Sequence, residues 1–333
     1  MKNLGYTFFG LIISLLVVSC GGEDGDTASL LPSSGGAGHE IVVVSDHVPF
    51  DSSRIGQVIK NYFEDEFKGL STSEKNFDII NVKTNDFNSL LQRHNKILLI
   101  NDQDASFPTA KADIKTEIWA KNQLVVKLNA RSEKAAVELF DSKKEELLSM
   151  YHEWDMRNLG LNFWRQTSKS YQEHLQKNFG IRLAIPEKYH TARSEKDFIW
   201  FRYDTDKSIQ GILVYKEPYT ADSTFTRDYI VNRRNEMSQK YVPGPSEGSY
   251  MAVDSVFPVR QVAITLDDCY AMESKGIWVM ENDFMGGSFV SYTVYNEKKQ
   301  EIITVDGFVH APNQKKKYMM LEVEAIVKSI LVD

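Results

Sequence analysis

The chain has 333 residues, of which 39 are Lys or Arg, 46 are Asp or Glu, and 42% are hydrophobic. This is the composition of a core-forming globular protein with one large or two ordinary domains, since one domain takes about 100–200 residues. A formal net charge of −7 argues against a nucleic-acid partner, because such proteins carry basic surfaces. The 2 cysteines cannot form a disulfide-rich scaffold, so stability must come from a hydrophobic core.

The first element in chain order is a signal peptide, predicted over residues 1–19. Lys2 precedes an uncharged apolar stretch at residues 8–18, which is shorter than the roughly 20 residues that a transmembrane helix needs. The sequence VVSC at residues 17–20 then resembles the lipobox of bacterial lipoproteins. That resemblance implies cleavage before Cys20 and acylation of its thiol. The mature chain is therefore expected to be attached to a membrane by its N-terminal lipid without spanning it.

Residues 20–38 predict a flexible tether, because they are rich in small and polar residues and show no apolar periodicity. Glu23, Asp24 and Asp26 resemble the acidic stretch that directs some Gram-negative lipoproteins to the cell surface, and ordinary solvating charge explains them equally well. We expect an outer-membrane lipoprotein of a Gram-negative bacterium, on the periplasmic side or on the cell surface.

An N-terminal α/β subdomain is predicted over residues 39–131. Continuous β-branched runs such as IVVV at residues 41–44 are typical of strands buried on both faces. Apolar residues from Ile55 to Phe67 recur at helical spacing and predict an amphipathic helix. The expected order is strand 41–44, helix 55–67, strand 77–82, a short helix 86–93, strand 97–100, and a hairpin of residues 118–119 and 124–128. This alternation predicts at least partly parallel pairing.

Residues 132–180 predict a long helical connector, since they contain no proline and their apolar residues recur at helical spacing. Ser132 is the expected N-cap, Gly160 the expected bend and Gly180 the expected end. The length favours two helices or one kinked helix. A coiled-coil dimer is the alternative, but Lys144 and Asn158 interrupt its seam, so packing within the chain is favoured.

A mostly antiparallel sheet is predicted for the C-terminal subdomain, residues 181–333. Its candidate strands are residues 182–185, 198–203, 211–216, 251–256, 259–266, 276–281, 288–295 and 302–308. Two helices, at about residues 225–240 and 314–331, are expected to cover one face of this sheet. The predicted fold class is α+β: a small N-terminal α/β layer with βαβαβ order and a hairpin, a long helical connector, and a mostly antiparallel C-terminal sheet covered by helices.

Several motifs of the C-terminal subdomain resemble a family of bacterial lipoproteins that is described only as a domain of unknown function. They are YVPGP at residues 241–245, GSYM at 248–251, GIW at 276–278, MGGSFVSY at 285–292 and GFVHAP at 307–312. The SSGGAG tract at residues 33–38 also fits that family. The family has no assigned activity, so the resemblance implies no catalytic residue. In layout alone, this subdomain also resembles the photosystem subunit P-like domains, which are non-enzymatic binding or assembly modules.

A basic cluster near the C-terminus is one candidate binding site. Lys315, Lys316 and Lys317 fall in the first turns of the last predicted helix, where the helix dipole disfavours cations. Together with His310 they could bind an anion such as a phosphate or a carboxylate. A solvated basic corner that balances acidic neighbours is the alternative interpretation.

Aromatic residues of the C-terminal subdomain are a second candidate site. Tyr215, Tyr250 and Trp278 could line a groove for a sugar or a peptide, because rigid amphipathic rings make good contact surfaces. Most aromatic residues of the chain are expected to lie in the core instead.

The sequence contains no coherent catalytic or metal-binding set. The DQD tripeptide at residues 102–104 resembles the start of a calcium loop but lacks the glycine required at position 6 and the glutamate at position 12. The DD pair at residues 267–268 would point to opposite faces of a strand. Ser288 lacks the following glycine of a nucleophile elbow, and Cys269 is expected to be a small buried hydrophobe that thiol reagents do not reach. We expect neither a metal nor a cofactor.

These observations predict a membrane-anchored lipoprotein that serves as a non-enzymatic envelope binding or assembly factor, with an envelope protein or a glycan as its partner. The alternative is a secreted-side hydrolase of envelope polymers, with Ser288, His310 or the acidic pairs as catalysts. An open cleft with His310 in hydrogen-bond reach of Ser288 or Cys269 would favour the hydrolase.

Overall fold

The computed structural model describes residues 31–333. The predicted signal peptide, Cys20 and the first part of the predicted tether lie outside these residues. Within residues 31–333, no helix is long and apolar enough to cross a membrane.

The N-terminal half contains a five-stranded, mostly parallel sheet, which confirms the predicted α/β layer. Its elements are β1 (Glu40–Val44), α1 (Arg54–Phe63), β2 (Asp78–Val82), β3 (Lys96–Asn101), β4 (Lys111–Thr116) and β5 (Leu124–Asn129). The strand order is β2-β1-β3-β5-β4, and only β4 and β5 pair antiparallel. The first strand of the hairpin is therefore β4, at residues 111–116, and not the predicted residues 118–119. Short 3₁₀ turns replace the helix predicted at residues 86–93, because the Asn88 side chain accepts the backbone N–H groups of Leu90 and Leu91.

The chain is bound to this half from Pro32 onward, so the tether predicted for residues 20–38 is wrong in its last part. Backbone hydrogen bonds join Ser34 to Lys121 and Gly35 to Arg93 at 3.1 and 2.9 Å. Gly36 adopts a φ of +90° and lies against the His94 ring, where a Cβ would come 2.1 Å from Nε2. The glycines that suggested a linker here permit close packing.

Two helices occupy the predicted connector, α2 (Glu133–Arg165) and α3 (Lys169–Phe179). The Ser132 side chain caps α2 by accepting the N–H of Ala135 at 3.3 Å, and Gly180 ends α3 with a φ of +68°. The helix is not interrupted at Gly160, because α2 continues to Arg165, and the break between the two helices lies at residues 166–168.

The C-terminal half is built on one antiparallel sheet, as predicted. Its elements are β6 (Ile181–Arg182), β7 (His190–Glu195), β8 (Phe198–Thr205), β9 (Ser208–Pro218), α4 (Arg227–Tyr241), β10 (Tyr250–Val253), β11 (Arg260–Leu266), β12 (Cys269–Glu281), β13 (Gly286–Asn296), β14 (Glu301–His310), α5 (Lys317–Lys328) and β15 (Leu331–Val332). The order is β10-β12-β13-β14-β9-β8-β7, and β11 also pairs with β12. β6 and β15 form a separate short pair.

Helices cover both faces of this sheet, so the prediction of one covered face is wrong. α3 and α5 pack on the face that carries Val290 and Val305. α4 packs through Met237 on the opposite face, which carries Trp278 and Phe308. Consequently β13 and β14 are buried on both faces along nearly their whole length.

The start of α5 joins the C-terminal half to the N-terminal half. The carboxylate of Glu74 accepts the backbone N–H groups of Lys316 and Lys317 at 2.6 and 3.2 Å. Lys317 Nζ donates to the carbonyl oxygens of Lys75 and Asn76 at 2.7 and 2.8 Å. Glu74 thus supplies the negative charge that the N-terminus of a helix favours.

His152 of α2 makes the stability of this junction depend on pH. Its ring stacks on Phe77 with 4.6 Å between centroids, and burial, helped by nearby lysine charges, lowers its pKa to about 4; the lysines are Lys317, Lys96 and Lys275. Between pH 6.5 and pH 4 the unfolded chain binds a proton that the folded chain does not, so stability falls as the pH falls. We expect the loss to be about 3 kcal/mol smaller in a His152→Gln variant, measured by urea unfolding at pH 7 and pH 4.

The comparison also involves a neighbouring buried ion pair. Lys96 and Asp155 form this pair, both proteins contain it, and Lys96 helps to lower the pKa of His152. The difference between the two pH profiles therefore reports His152 together with its coupling to this pair. Identical pH profiles for the two proteins would contradict the assignment to His152.

Candidate functional site

The motifs that carry the family resemblance converge on one cavity in the C-terminal half. The cavity has a volume of about 260 Å³ and lies on the sheet face that α4 covers. Its lining residues from the motifs are Val242, Pro243, Gly244, Pro245, Met251, Trp278, Met285, Phe308 and His310. The others are Trp200, Arg202, Ile209 and Met280. Segments far apart in sequence therefore build a single site.

Two glycines make room for the large rings of the cavity wall. Trp278 on β12 lies opposite Gly287 on β13, and a Cβ on Gly287 would lie 3.1 Å from the indole Nε1. A Cβ on Gly211 of β9 would come 2.3 Å from the Phe308 ring on β14. The glycines of these strands thus allow two aromatic rings to lie close to the sheet.

Two tryptophans of the cavity wall carry buried indole N–H groups that have no acceptor. Trp278 is 0% exposed and Trp200 is 7% exposed, and neither Nε1 has a hydrogen-bond partner in residues 31–333. An indole N–H can only donate, and a buried donor without a partner costs about 1–3 kcal/mol. Since most of the cavity wall is apolar, the cavity suits an apolar molecule.

Arg202 and His310 supply the other polar groups of the wall. Arg202 Nε bonds Asp204 Oδ1 at 2.7 Å, and its guanidinium lies 5.4 Å from the centre of the Trp200 ring. His310 Nδ1 donates to the carbonyl oxygen of Gly286 at 3.0 Å, since a carbonyl can only accept. The Nε2 atom of His310 is therefore the ring nitrogen that remains for a ligand.

A buried ion pair supports one side of the cavity. Arg234 of α4 makes two hydrogen bonds to the carboxylate of Asp306 on β14, at 2.7 and 3.2 Å. Its guanidinium lies 3.9 Å from the centre of the Phe289 ring, and its Nη2 lies 3.6 Å from the sulfur of Met251. Because Met251 lines the cavity, this pair fixes both α4 and part of the wall.

The structure brings only one of the three predicted groove residues to the cavity. Trp278 lines it, whereas Tyr215 of β9 is buried in the core, where burial raises the pKa of its phenol. Tyr250 begins β10, pairs with Glu281 and is not part of the cavity wall. The predicted groove is therefore not formed by these residues together, because strand register and alternation decide which rings share a site.

The predicted anion site is corrected for two of its lysines. Lys316 and Lys317 are buried, and the anion at their backbone N–H groups is Glu74 of the same chain. Lys315 is exposed, and its role in anion binding remains a prediction. His310 lies at the cavity and makes no hydrogen bond to these lysines within residues 31–333. The helix begins at Lys317, about three residues later than expected, so Lys315 precedes it and Lys316 is its N-cap.

The side chains proposed for a hydrolase are not brought together. Ser288 is fully buried, and its Oγ accepts the backbone N–H of Ser71 at 3.1 Å. Ser288 pairs with Val309, so these two side chains lie on the same face of the sheet. His310 follows Val309 in β14, and its side chain therefore lies on the opposite face from that of Ser288. Cys269 begins β12 and is half-buried, which corrects the prediction of a buried, unreachable thiol. Burial and the charge of Asp267 raise its pKa.

The acidic pairs have local structural roles. Asp267 and Asp268 have φ values of +50° and +60° and form the two-residue turn between β11 and β12. Asp102 Oδ2 bonds His47 Nε2 at 2.7 Å, and Asp104 accepts the backbone N–H of Ser106. Across residues 31–333, no three His, Cys, Asp or Glu side chains are grouped in a way that could hold a metal ion.

Sequence reasoning missed several residues of the cavity, among them Trp200, Arg202 and Met280. A signal was present in β8, where strand alternation places Phe198, Trp200 and Arg202 on one face. That alternation does not reveal which motifs share this face, because β12 and β14, the strands that carry Trp278 and Phe308, are distant from β8 in sequence.

Comparison with known proteins finds two family models that match the chain. Residues 168–329 match "Domain of unknown function (DUF4837)", and residues 34–163 match "Domain of unknown function (DUF8532)". No curated protein matches. Among solved structures, the crystal structure of LpqN, described as involved in cell envelope biogenesis of Mycobacterium tuberculosis, is 14% identical over 46% of this chain and 82% of that chain, with a TM-score of 0.29. At that TM-score the similarity supports no inference about this chain. The chain thus joins two segments that each match a domain family of unknown function, and the second segment contains the cavity.

Proposed function

We propose that the chain is an envelope lipoprotein, anchored through an acylated Cys20, whose C-terminal half binds an apolar ligand without converting it. The observation that carries this proposal is a cavity of about 260 Å³ whose wall is mostly apolar, with Arg202 and His310 as its charged or polar side chains. Small-molecule sites have this composition, with apolar walls and a few placed polar groups. The wall contains no Ser, Thr, Cys, Asp or Glu, so His310 has no nucleophile beside it in the wall to activate, which favours binding over nucleophilic chemistry.

The anchor and the cellular location rest on the sequence. The lipobox-like VVSC at residues 17–20 supports attachment by lipid, and the net charge of −7 argues against attachment by a basic surface. We retain the outer membrane of a Gram-negative bacterium as the proposed location, on either face. An envelope protein is retained as a partner, whereas a glycan fits the cavity poorly because its many hydroxyl groups would meet apolar walls.

The proposal predicts that the two tryptophan rings of the wall determine ligand affinity. Trp200→Phe and Trp278→Phe each replace a large ring by a smaller one, so each is expected to weaken binding about fivefold and the double variant about 25-fold, at roughly 1 kcal/mol for the apolar contact that each change removes. Native mass spectrometry of the lipidated chain, purified from its membranes, measures the fraction that carries a non-covalent ligand.

A matched control is available outside the cavity. Trp154 Nε1 donates to the carbonyl oxygen of Asn122 at 3.4 Å, and Trp154→Phe makes the same ring replacement but is expected to leave ligand occupancy unchanged. Thermal melting of all variants separates loss of binding from loss of fold. A wild-type protein without ligand, or equal occupancy in the double variant and the control, would contradict the proposal.

A further inference from the structure

Strand β11 leaves one edge of the C-terminal sheet open. Within residues 31–333 it pairs only with β12, through a two-residue turn at residues 267–268 that the pair of Leu266 and Cys269 closes. The backbone groups of such a closing pair bond each other, and bonded and non-bonded pairs then alternate along the ladder. The backbone groups that point away from β12 therefore belong to Gln261, Ala263 and Thr265. In the described chain, these three residues make no backbone hydrogen bond to another segment.

The other edges of the two large sheets are covered or charged, as is usual for edges that must not pair with another chain. The edge of β10 lies against α4, where Asn235 Oδ1 accepts the N–H of Val253 at 2.7 Å. The edge of β2 lies against Glu64, which accepts the N–H of Ile79 at 3.4 Å. Charged side chains lie along the remaining two edges: Lys111, Asp113 and Lys115 on β4, and Arg193 and Glu195 on β7. By contrast, residues 261–266 of β11 carry no charge.

The outward backbone groups of β11 match those of a second copy of the same strand. The open edge of a sheet is completed by another extended backbone, which supplies N–H and C=O groups at the same spacing. In an antiparallel pair with its two-fold axis at Ala263, this residue faces Ala263 of the second copy, and Gln261 faces Thr265 of the second copy. Every outward N–H and C=O group of β11 then has a partner.

The side chains of β11 also suit this antiparallel pairing. Val262, which is 37% exposed, comes opposite Ile264 of the second copy, and pairs of β-branched side chains stabilise neighbouring strands. Arg260 begins the strand, and the acidic turn at residues 267–268 follows its end. Arg260 of each copy therefore lies beside the acidic turn of the other copy. A parallel pair would instead place arginine beside arginine.

We propose that two copies of the chain form a symmetric dimer by antiparallel pairing of β11 with β11, which joins their C-terminal sheets into one. This dimer does not depend on a ligand in the cavity. Its geometry fixes two distances that can be measured. The Cα atoms of the two Ala263 residues lie about 5.5 Å apart, within the range of about 4.4–6.8 Å that a disulfide spans. The Cα atoms of the two Thr265 residues lie roughly 14 Å apart, which is too far for a disulfide.

Disulfide formation in native membranes tests this spacing in the full lipidated chain. Every variant also carries Cys269→Ser, which removes the half-buried thiol. Ala263→Cys is expected to give at least about fivefold more disulfide-linked dimer than Thr265→Cys, the matched control two residues along the same edge. Adding Gln261→Cys to Thr265→Cys is expected to restore the dimer, because the two thiols then face each other across the pair. Adding Ala263→Lys to that double variant is expected to abolish it, because like charges then meet at the axis.

The outcomes distinguish a second copy from other occupants of the edge. Equal cross-linking of Ala263→Cys and Thr265→Cys, or none in Ala263→Cys, overturns the proposed pairing. A disulfide-linked product of Ala263→Cys that contains a different protein overturns the second copy as the occupant. Dimer that persists unchanged with Ala263→Lys shows that the copies meet elsewhere and also overturns the proposal.

Discussion

Replacing Asp306 with alanine is expected to lower the free energy of unfolding by about 3–5 kcal/mol. The side chains of Asp306 and Arg234 are 0% and 1% exposed, and the carboxylate accepts two hydrogen bonds from the guanidinium. Without the carboxylate, the guanidinium stays buried between the Phe289 ring and Met251 with no compensating charge in the described chain. Urea unfolding at pH 7 measures the loss, and ligand occupancy is expected to fall with it because α4 no longer holds the cavity wall.

Two comparisons show whether the buried charge is the cause. Combining Arg234→Met with Asp306→Leu removes both charges, and we expect it to recover most of the stability, since apolar replacements of buried ion pairs are often neutral or stabilising. Glu195→Ala breaks the exposed pair with Arg193, 3.0 Å apart, and is expected to have little effect. If Asp306→Ala were no more harmful than Glu195→Ala, the ion pair would not be what holds α4.

Replacing Gly287 with alanine is expected to cost about 3 kcal/mol, at the upper end of the cost of overpacking. The added Cβ would lie 1.9 Å from the carbonyl oxygen of Val309, a backbone atom that cannot rotate away, and 3.1 Å from the Nε1 of Trp278. β13 and β14 must therefore shift apart at the cavity wall. Thermal or urea unfolding measures the cost, and ligand occupancy should fall as well.

A glycine-to-alanine change at Gly160 is expected to stabilise the protein instead of destabilising it. Gly160 lies inside α2, and a Cβ there would meet no atom within 4 Å. Gly160→Ala should therefore raise the free energy of unfolding by up to about 1 kcal/mol, because alanine favours the helix. Stabilisation by both substitutions would show that Gly287 is not required for close approach of the strands.

Elements of the fold could be predicted where a short run of residues is typical of only one local structure. The β-branched run of β1 and the left-handed glycine that ends α3 are such cases. β7, His190–Glu195, was missed because all of its side chains are exposed, so it shows no apolar alternation and forms only by pairing with β8. The second covered face was missed because β14 carries Thr304 and Asp306 where a buried strand usually has apolar residues, and Arg234 of α4 is the partner that makes Asp306 possible there.

The candidate site could be predicted in its parts but not in its assembly. The motifs stood out as unusual clusters of Gly, Pro and aromatic residues, and Trp278 was singled out by its residue type. Which motifs meet depends on strand pairing over long sequence separations, such as that of β9 with β14. Likewise, Glu74 reaches the start of α5 only in the folded chain, so the lysines at residues 315–317 looked like an unpartnered basic cluster.

The most direct test of the cavity as a binding site is a crystal structure of the lipidated chain purified from its membranes without delipidation. We predict density for a bound apolar molecule inside the cavity, in contact with the ring of Trp200 and the side chain of Met285. A cavity that contains only water, or that the side chain of Met285 fills, would contradict the proposed binding site.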